Sequence, residues 1–385
     1  MKKIKVFVDG VPLAKEHPSG IGHLLLSTLK ALSRNKEFQK KYELILFAPR
    51  NMYKNLFSTG IPEIQVKPLP FPAARVINVL NYAHVLPAID AYMGKGVYLF
   101  GNFNNYPVSK SSKSITWLHD LSYERFPETV SPKLQHHLHK HVPSWIARTD
   151  QIVTISNFSR QEVLDFYSTD ISKVSLVKAG IDPGFFTHVS SDKIATVLQK
   201  YNLPKDYILF IGNIEPRKNL ESLVNAFAEL PEAIKSKYSL VIIGGDGWNN
   251  EAIHMAIEAA KKNGSKINMP DMYVPDDDLP AIITGAKFLV HPALYEGFGI
   301  PPLEALACGT NVLVSDIPPL REVVGEYGDY FNLDDGVEGL KKSLEAKFNT
   351  PSKLNQTTAS WVAEFTWHNS ASQLLAVLDS VSATM

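Results

Sequence analysis

Short β-branched or apolar runs alternate with helical stripes along the whole chain, and that alternation dictates parallel sheets built from strand–helix–strand units. In the first half, Ile4–Val8, Tyr42–Ala48, Ile64–Val66, Val97–Leu99, Ile115–Leu118, Gln151–Ile155 and Val174–Val177 read as strands. Around Ile181–Thr187 the pattern lapses, and Pro183 and Gly184 suit a turn. A new cycle follows, with strands at Tyr207–Gly212, Ser239–Ile243, Ile267–Met269, Phe288–Val290, Asn311–Val314 and Tyr330–Phe331. Helices fit between them: Leu220, Leu223, Val224, Phe227 and Leu230 keep the three-or-four spacing of a buried stripe.

At 385 residues the chain suits two domains of ordinary size, each able to bury a core. The expected fold is α/β, two Rossmann-like domains with parallel sheets facing across a cleft. Residues 1–186 form the first domain, residues 187–365 the second, and the hinge lies near residues 184–190. The tail, residues 366–385, carries Leu374, Leu375 and Leu378 at helical spacing and returns to pack on the first domain.

Lys plus Arg equals Asp plus Glu at 39 each, so no global field recruits nucleic acid, and an anionic partner must be met locally. The single cysteine, Cys308, has no partner for an internal disulfide, and the start MKKIKVFVDG reads as a strand rather than a signal peptide. The expected compartment is cytoplasmic. No apolar run approaches the roughly 20 residues of a membrane span. Phe71–Leu86, with Val76, Ile77 and Val79, is either a core-packing segment or a lipid-facing surface for peripheral contact at the inner face of a membrane.

Four motifs carry chemistry. Gly212–Asn219 follows a strand and precedes a helix, and its adjacent Arg217 and Lys218 combine fixed charge with a helix amino terminus, an arrangement that favours phosphate or diphosphate. It lacks the spacing of a Walker loop. In Glu296–Glu304, Gly297 and Gly299 let the backbone approach a ligand, Pro301 and Pro302 fix the start of a helix, and the two carboxylates suit sugar hydroxyls. Glu296 is expected on a loop at a strand's carboxyl end, and Glu304 in the first turn of a helix beginning near Pro302. Ser19–His23 holds Gly20 and Gly22, whose spacing allows a tight turn near a phosphate or sugar, or a plain turn. His119 follows the strand Ile115–Leu118, placed to hydrogen-bond a substrate or to pack against backbone.

Other clusters carry less. His137 and His141 share a helix face, but no third ligand is evident, so no metal is expected. Asp277 or Asp278 is placed to cap a helix beginning near Leu279. No hydrolase elbow, zinc signature or dinucleotide fingerprint is present.

Together these residues resemble glycosyltransferase family 4, the retaining nucleotide-sugar transferases of GT-B fold. The resemblance covers nearly the whole chain, through SGIGH, WLHDLSYERFPE, TDQIVTISNFSRQEV, YILFIGNIEPRKNLESLVNAF, LVIIGGDGW, MYVPDDDLPAIITGA and HPALYEGFGIPPLEALACGTNVLVSD. It is similar in flavour to bacterial B-type mannosyltransferases that build surface polysaccharides. The resemblance implies that Arg217 and Lys218 neutralise a donor diphosphate, Glu304 holds the ribose hydroxyls and Glu296 contacts the transferred sugar. It further implies backbone contacts at Phe298, Gly299 and Ile300, base recognition at Tyr273 and Val274, and approach of His119, Gly20 and Gly22 to sugar, diphosphate and acceptor. His23 and Leu24 replace the family's frequent arginine–tyrosine pair, Ala293 a frequent serine and Asn311 a usual proline.

On that resemblance the expected substrate is a nucleotide-diphosphate sugar, GDP-mannose first, then UDP-glucose, UDP-N-acetylglucosamine and dTDP-rhamnose. The expected acceptor is a glycan or lipid-linked oligosaccharide, and neither cofactor nor metal is needed. Two other readings share the architecture: a nucleotide-sugar 2-epimerase and a catalytically silent partner subunit.

Overall fold

The structure, a computed structural model, describes residues 3–14, 19–72, 87–102 and 104–385. These residues form two compact units: residues 3–121, 137–180 and 365–385, with the undescribed stretches excepted, make the first, and residues 122–136 and 181–364 the second. Residues 122–136, within the predicted first domain, thus group with the second unit.

Every predicted strand is present. The first unit holds β1 (Ile4–Asp9), β2 (Tyr42–Ala48), β3 (Gln65–Pro68), β4 (Val97–Phe100), β5 (Lys113–Leu118), β6 (Gln151–Thr154) and β7 (Val174–Leu176). They pair in parallel in the order β3-β2-β1-β4-β5-β6-β7. The second unit holds β8 (Tyr207–Ile211), β9 (Ser239–Ile243), β10 (Ile267–Asn268), β11 (Leu289–His291), β12 (Val312–Ser315) and β13 (Asp329–Phe331), parallel in the order β10-β9-β8-β11-β12-β13. Central strands such as β4 and β9 are buried at every position, because helices cover both faces of a parallel sheet.

Each unit has its own core. In the first, Phe7 stacks on Tyr98 with ring centroids 4.7 Å apart, beside Phe47, Phe100 and Tyr106. In the second, Phe210, Leu223, Phe227, Ile242 and Leu344 interlock around β8 and β9. Phe71 packs partly buried against the first core and meets Tyr92 edge-on. Residues 73–86 of the proposed lipid-facing segment, including Val76, Ile77 and Val79, lie outside the described residues. No helix of the described residues is long and apolar enough to cross a membrane.

The helix Trp367–Ser382 belongs to the first unit. Leu374 and Leu378 are fully buried, its Asp379 accepts hydrogen bonds from Lys41 and Tyr42 at 2.8 Å each, and Gln373 accepts the Lys178 N–H. A Cβ on Gly180 would lie 2.5 Å from the Thr366 backbone, so a glycine there lets the chain pass beneath the start of this helix. Leu378→Ala is expected to lower the unfolding free energy by about 2–5 kcal/mol in a denaturant titration, whereas Ser372→Ala on the exposed face should change it by less than about 0.5 kcal/mol.

Candidate active site

In the second sheet the chain runs outward through β8, β9 and β10, then returns to the other side of β8 as β11. Loops leaving the carboxyl ends of strands on either side of such a reversal diverge and open a crevice. Residues 212–219 leave β8 and residues 292–299 leave β11. The Leu294 N–H donates to the Arg217 carbonyl at 2.9 Å and ties the two loops together.

Pro216–Lys218 forms one tight helical turn, ended by Asn219 at φ 56°, before the helix Leu220–Ala228 begins. The Arg217 guanidinium donates to the Tyr295 carbonyl at 3.0 Å, to Glu296 Oε2 at 3.1 Å and to Glu215 Oε1 at 2.7 Å. Lys218 Nζ donates to Glu296 Oε1, and His291 Nε2 meets that same oxygen at 2.8 Å. The side chains of Arg217 and Lys218 are only 14% and 12% exposed, and that of Glu296 is 8% exposed. Burial alone would raise the Glu296 carboxyl, but the charges of Lys218 and Arg217 and the His291 hydrogen bond hold it well below the usual carboxylate range.

A Cβ on Gly244, which follows β9, would lie 1.9 Å from the Gly212 carbonyl, so only glycine lets these two strand ends close together. The helix bearing Glu304 runs Ile300–Ala307 and starts two residues before the expected position. Gly299 at φ 112° turns the chain into it, and Pro301 and Pro302 fill a first turn that needs no N–H partners. Glu304 therefore sits in the second turn rather than the first. It is partly exposed. Packing around its carboxyl, with the Asp276 charge, pushes its pKa up to about 8. Phe298 is buried and Ile300 half-buried at this helix start; Tyr273 is 57% exposed and Val274 half-buried in the loop after β10.

Asp278 precedes the helix Leu279–Gly285 without capping it by its side chain; the carboxylate instead accepts from Lys200 at 2.6 Å and Tyr201 at 2.7 Å. A charged partner outcompetes a neutral backbone N–H for that oxygen. The rings of His137 and His141 lie 5.0 Å apart, tilted by 44°, but no group of three metal-binding side chains exists among the described residues.

His119, Gly20 and Gly22 belong to the first unit. His119 follows β5, is buried, and its Nε2 lies 3.0 Å from the Gly101 carbonyl. Burial lowers its pKa, so the ring is neutral, donates through Nε2 and keeps Nδ1 as an acceptor. Gly20 and Gly22 are not in a tight turn: the helix Gly20–Arg34 begins at Gly20, and Gly22 is buried in its first turn.

The second unit thus brings Arg217, Lys218 and Glu296 into contact. It adds three groups that the sequence reading left without a role: Glu215, His291 and the Tyr295 carbonyl. The signal for them was spacing, an acid two residues before Arg217 and a histidine ending the strand five residues before Glu296.

Residues 194–360, which contain the cluster, match the family described as Glycosyl transferases group 1. The chain is 28% identical over 373 residues to the O-antigen chain mannosyltransferase B of Escherichia coli, covering 93% of this chain and 95% of that one. Among solved structures, sucrose-phosphate synthase from Thermosynechococcus elongatus superposes over 100% of both chains with a TM-score of 0.74 at 17% identity. Anabaena HepE, in complex with UDP and glucose, covers 98% of this chain and 100% of its own at 0.70 and 16%. The chain is a glycosyltransferase of the GT-B fold. It resembles the bacterial B-type mannosyltransferases, and membership of family 4 is consistent with these matches.

Glu304 generates a pH prediction. Its folded pKa, about 8, lies above the ordinary 4.5, so the folded chain binds the extra proton between those values. Its contribution to stability is complete below about pH 4.5 and is lost as pH rises through about 8. Glu304→Gln removes that slope, and denaturant titrations should show the variant gaining on the order of 4 kcal/mol relative to wild type between pH 5 and pH 9.

Proposed function

We propose that this glycosyltransferase moves a hexose, mannose from GDP-mannose as the first candidate, to a glycan or lipid-linked acceptor, with retention at the anomeric carbon and without a metal ion. The observation that carries this reading is the pair Arg217 and Lys218, held beside Glu296 at the reversal point of the second sheet. Similarity to the O-antigen chain mannosyltransferase B supports mannose and a surface-polysaccharide acceptor.

In this reading the donor's diphosphate lies against Arg217 and Lys218, Glu304 takes the ribose hydroxyls, and Glu296 faces the transferred sugar. Breaking the bond between the anomeric carbon and the β-phosphate oxygen places negative charge on that phosphate. The two cations stabilise that charge more in the transition state than in the ground state, in a buried setting where charge interactions are strong. They supply what a divalent ion would otherwise supply. The acceptor oxygen attacks from the face the diphosphate leaves, its proton passes to the β-phosphate oxygen, and configuration is kept. Neutral His119, with Nδ1 as acceptor, is suited to hold a hydroxyl rather than to donate a proton.

Lys218→Met keeps the stem and removes the charge, while Arg217 and His291 still satisfy Glu296. Sugar transfer by this variant is expected to fall about 10²- to 10³-fold, with a thermal midpoint within a few degrees of wild type. Unchanged transfer by the folded variant overturns the role of Lys218. A thermal-shift panel of GDP-mannose, UDP-glucose, UDP-N-acetylglucosamine and dTDP-rhamnose should give its largest rise with GDP-mannose, and a uridine preference overturns the choice of donor.

A further inference from the structure

We propose that His291 is the positioning residue for the sugar-facing carboxylate: its Nε2–H anchors Glu296 to the sheet while the donor's diphosphate draws on the cations. This rests on the reading above, in which Arg217 and Lys218 meet the diphosphate and Glu296 the sugar.

The Glu296 carboxylate has three claimants. Arg217 takes Oε2, while Lys218 and His291 share Oε1. A diphosphate offers several charged acceptor oxygens and competes with Glu296 for both cations. Lys218 reaches Glu296 through a flexible four-carbon stem rising from a three-residue turn. His291 is different: it is the last residue of β11, fully buried, paired in register with Val314 of β12, and its carbonyl accepts from the Ser315 hydroxyl. Its ring is fixed by the sheet, so this hydrogen bond holds when the cations turn toward phosphate. Oε1 stays anchored and Oε2 is left for a sugar hydroxyl.

The proton's place follows from burial. Nδ1 of His291 is buried with no hydrogen-bond partner among the described residues, so a proton there would be an N–H without an acceptor. The groups facing the ring are Glu296, Lys218 and Arg217; burial and the two cations keep the ring neutral against the pull of Glu296. The neutral ring therefore carries its hydrogen on Nε2, where Glu296 accepts it.

The test compares His291→Leu, which removes the donor, with His291→Gln, whose amide N–H reaches a position near Nε2. GDP binding is measured by calorimetry, and GDP release from GDP-mannose, or from the donor chosen by the thermal-shift panel, gives turnover. The expected result is kcat about 10- to 100-fold lower for Leu, an affinity for GDP alone within about threefold of wild type, and most of the turnover restored in Gln. Wild-type turnover in Leu overturns the proposal, as does equal loss in Leu and Gln at unchanged thermal midpoints, which would assign His291 to packing. Should Leu fail to fold, Gln alone decides: near-wild-type kcat supports the role, and a tenfold loss in the folded variant overturns it. If wild type binds neither GDP nor any nucleotide sugar, the donor reading falls first, an outcome distinct from these.

Discussion

Everything at this site depends on keeping two positive charges nearly out of water. Arg217 and Lys218 do not stand alone: Glu296 touches both, and Glu215 holds the second arm of the guanidinium. An isolated buried cation would cost several kcal/mol, and the cluster offsets that cost by closing on itself. On the proposed reading, a donor diphosphate would enter by exchange, replacing carboxylate contacts rather than filling bare charge. Its affinity would then be a difference between two good sets of contacts, which suits release of a charged product.

The sheet makes the cluster possible. Arg217 and Lys218 follow β8 and Glu296 follows β11, strands that are neighbours in space but separated by β9 and β10 in the chain. Reversal of strand order spreads their loops, and the Leu294–Arg217 backbone bond fixes how far. Gly212 and Gly244 let the neighbouring strand ends close, so the floor of the site is backbone packed against backbone.

Much of this was legible beforehand, for a physical reason. Strands buried on both faces need unbroken apolar runs such as Leu240–Ile243 or Ile152–Val153, and such runs are hard to mistake when glycine and polar turns bracket them. The cations and Glu296 were legible because charge beside glycine at a strand's end has few other uses. What stayed hidden depended on competition between partners. Asp278 turned from its helix to Lys200 and Tyr201 because charged and hydroxyl donors came within reach in three dimensions. Proline at the start of the helix Ile300–Ala307 shifted its first turn, since a turn with no N–H to satisfy can begin earlier than an apolar pattern suggests. Gly20 and Gly22 read as a turn but entered a helix, whose buried face of Leu25, Leu29 and Leu32 outweighed the glycine preference. His291 had no motif to mark it, only a position that gains meaning once the loop folds back.

The helix Trp367–Ser382 completes the first unit yet is the last part of that unit to leave the ribosome. Lys41 and Tyr42 wait more than three hundred residues for Asp379, through the synthesis of the entire second unit. The second unit has its sequence almost in one piece and can close its core as soon as it emerges. The nascent chain therefore finishes its units in the reverse of the order in which it begins them, and the helix Gly20–Arg34, which packs against Trp367–Ser382, has its apolar stripe uncovered until that helix is made.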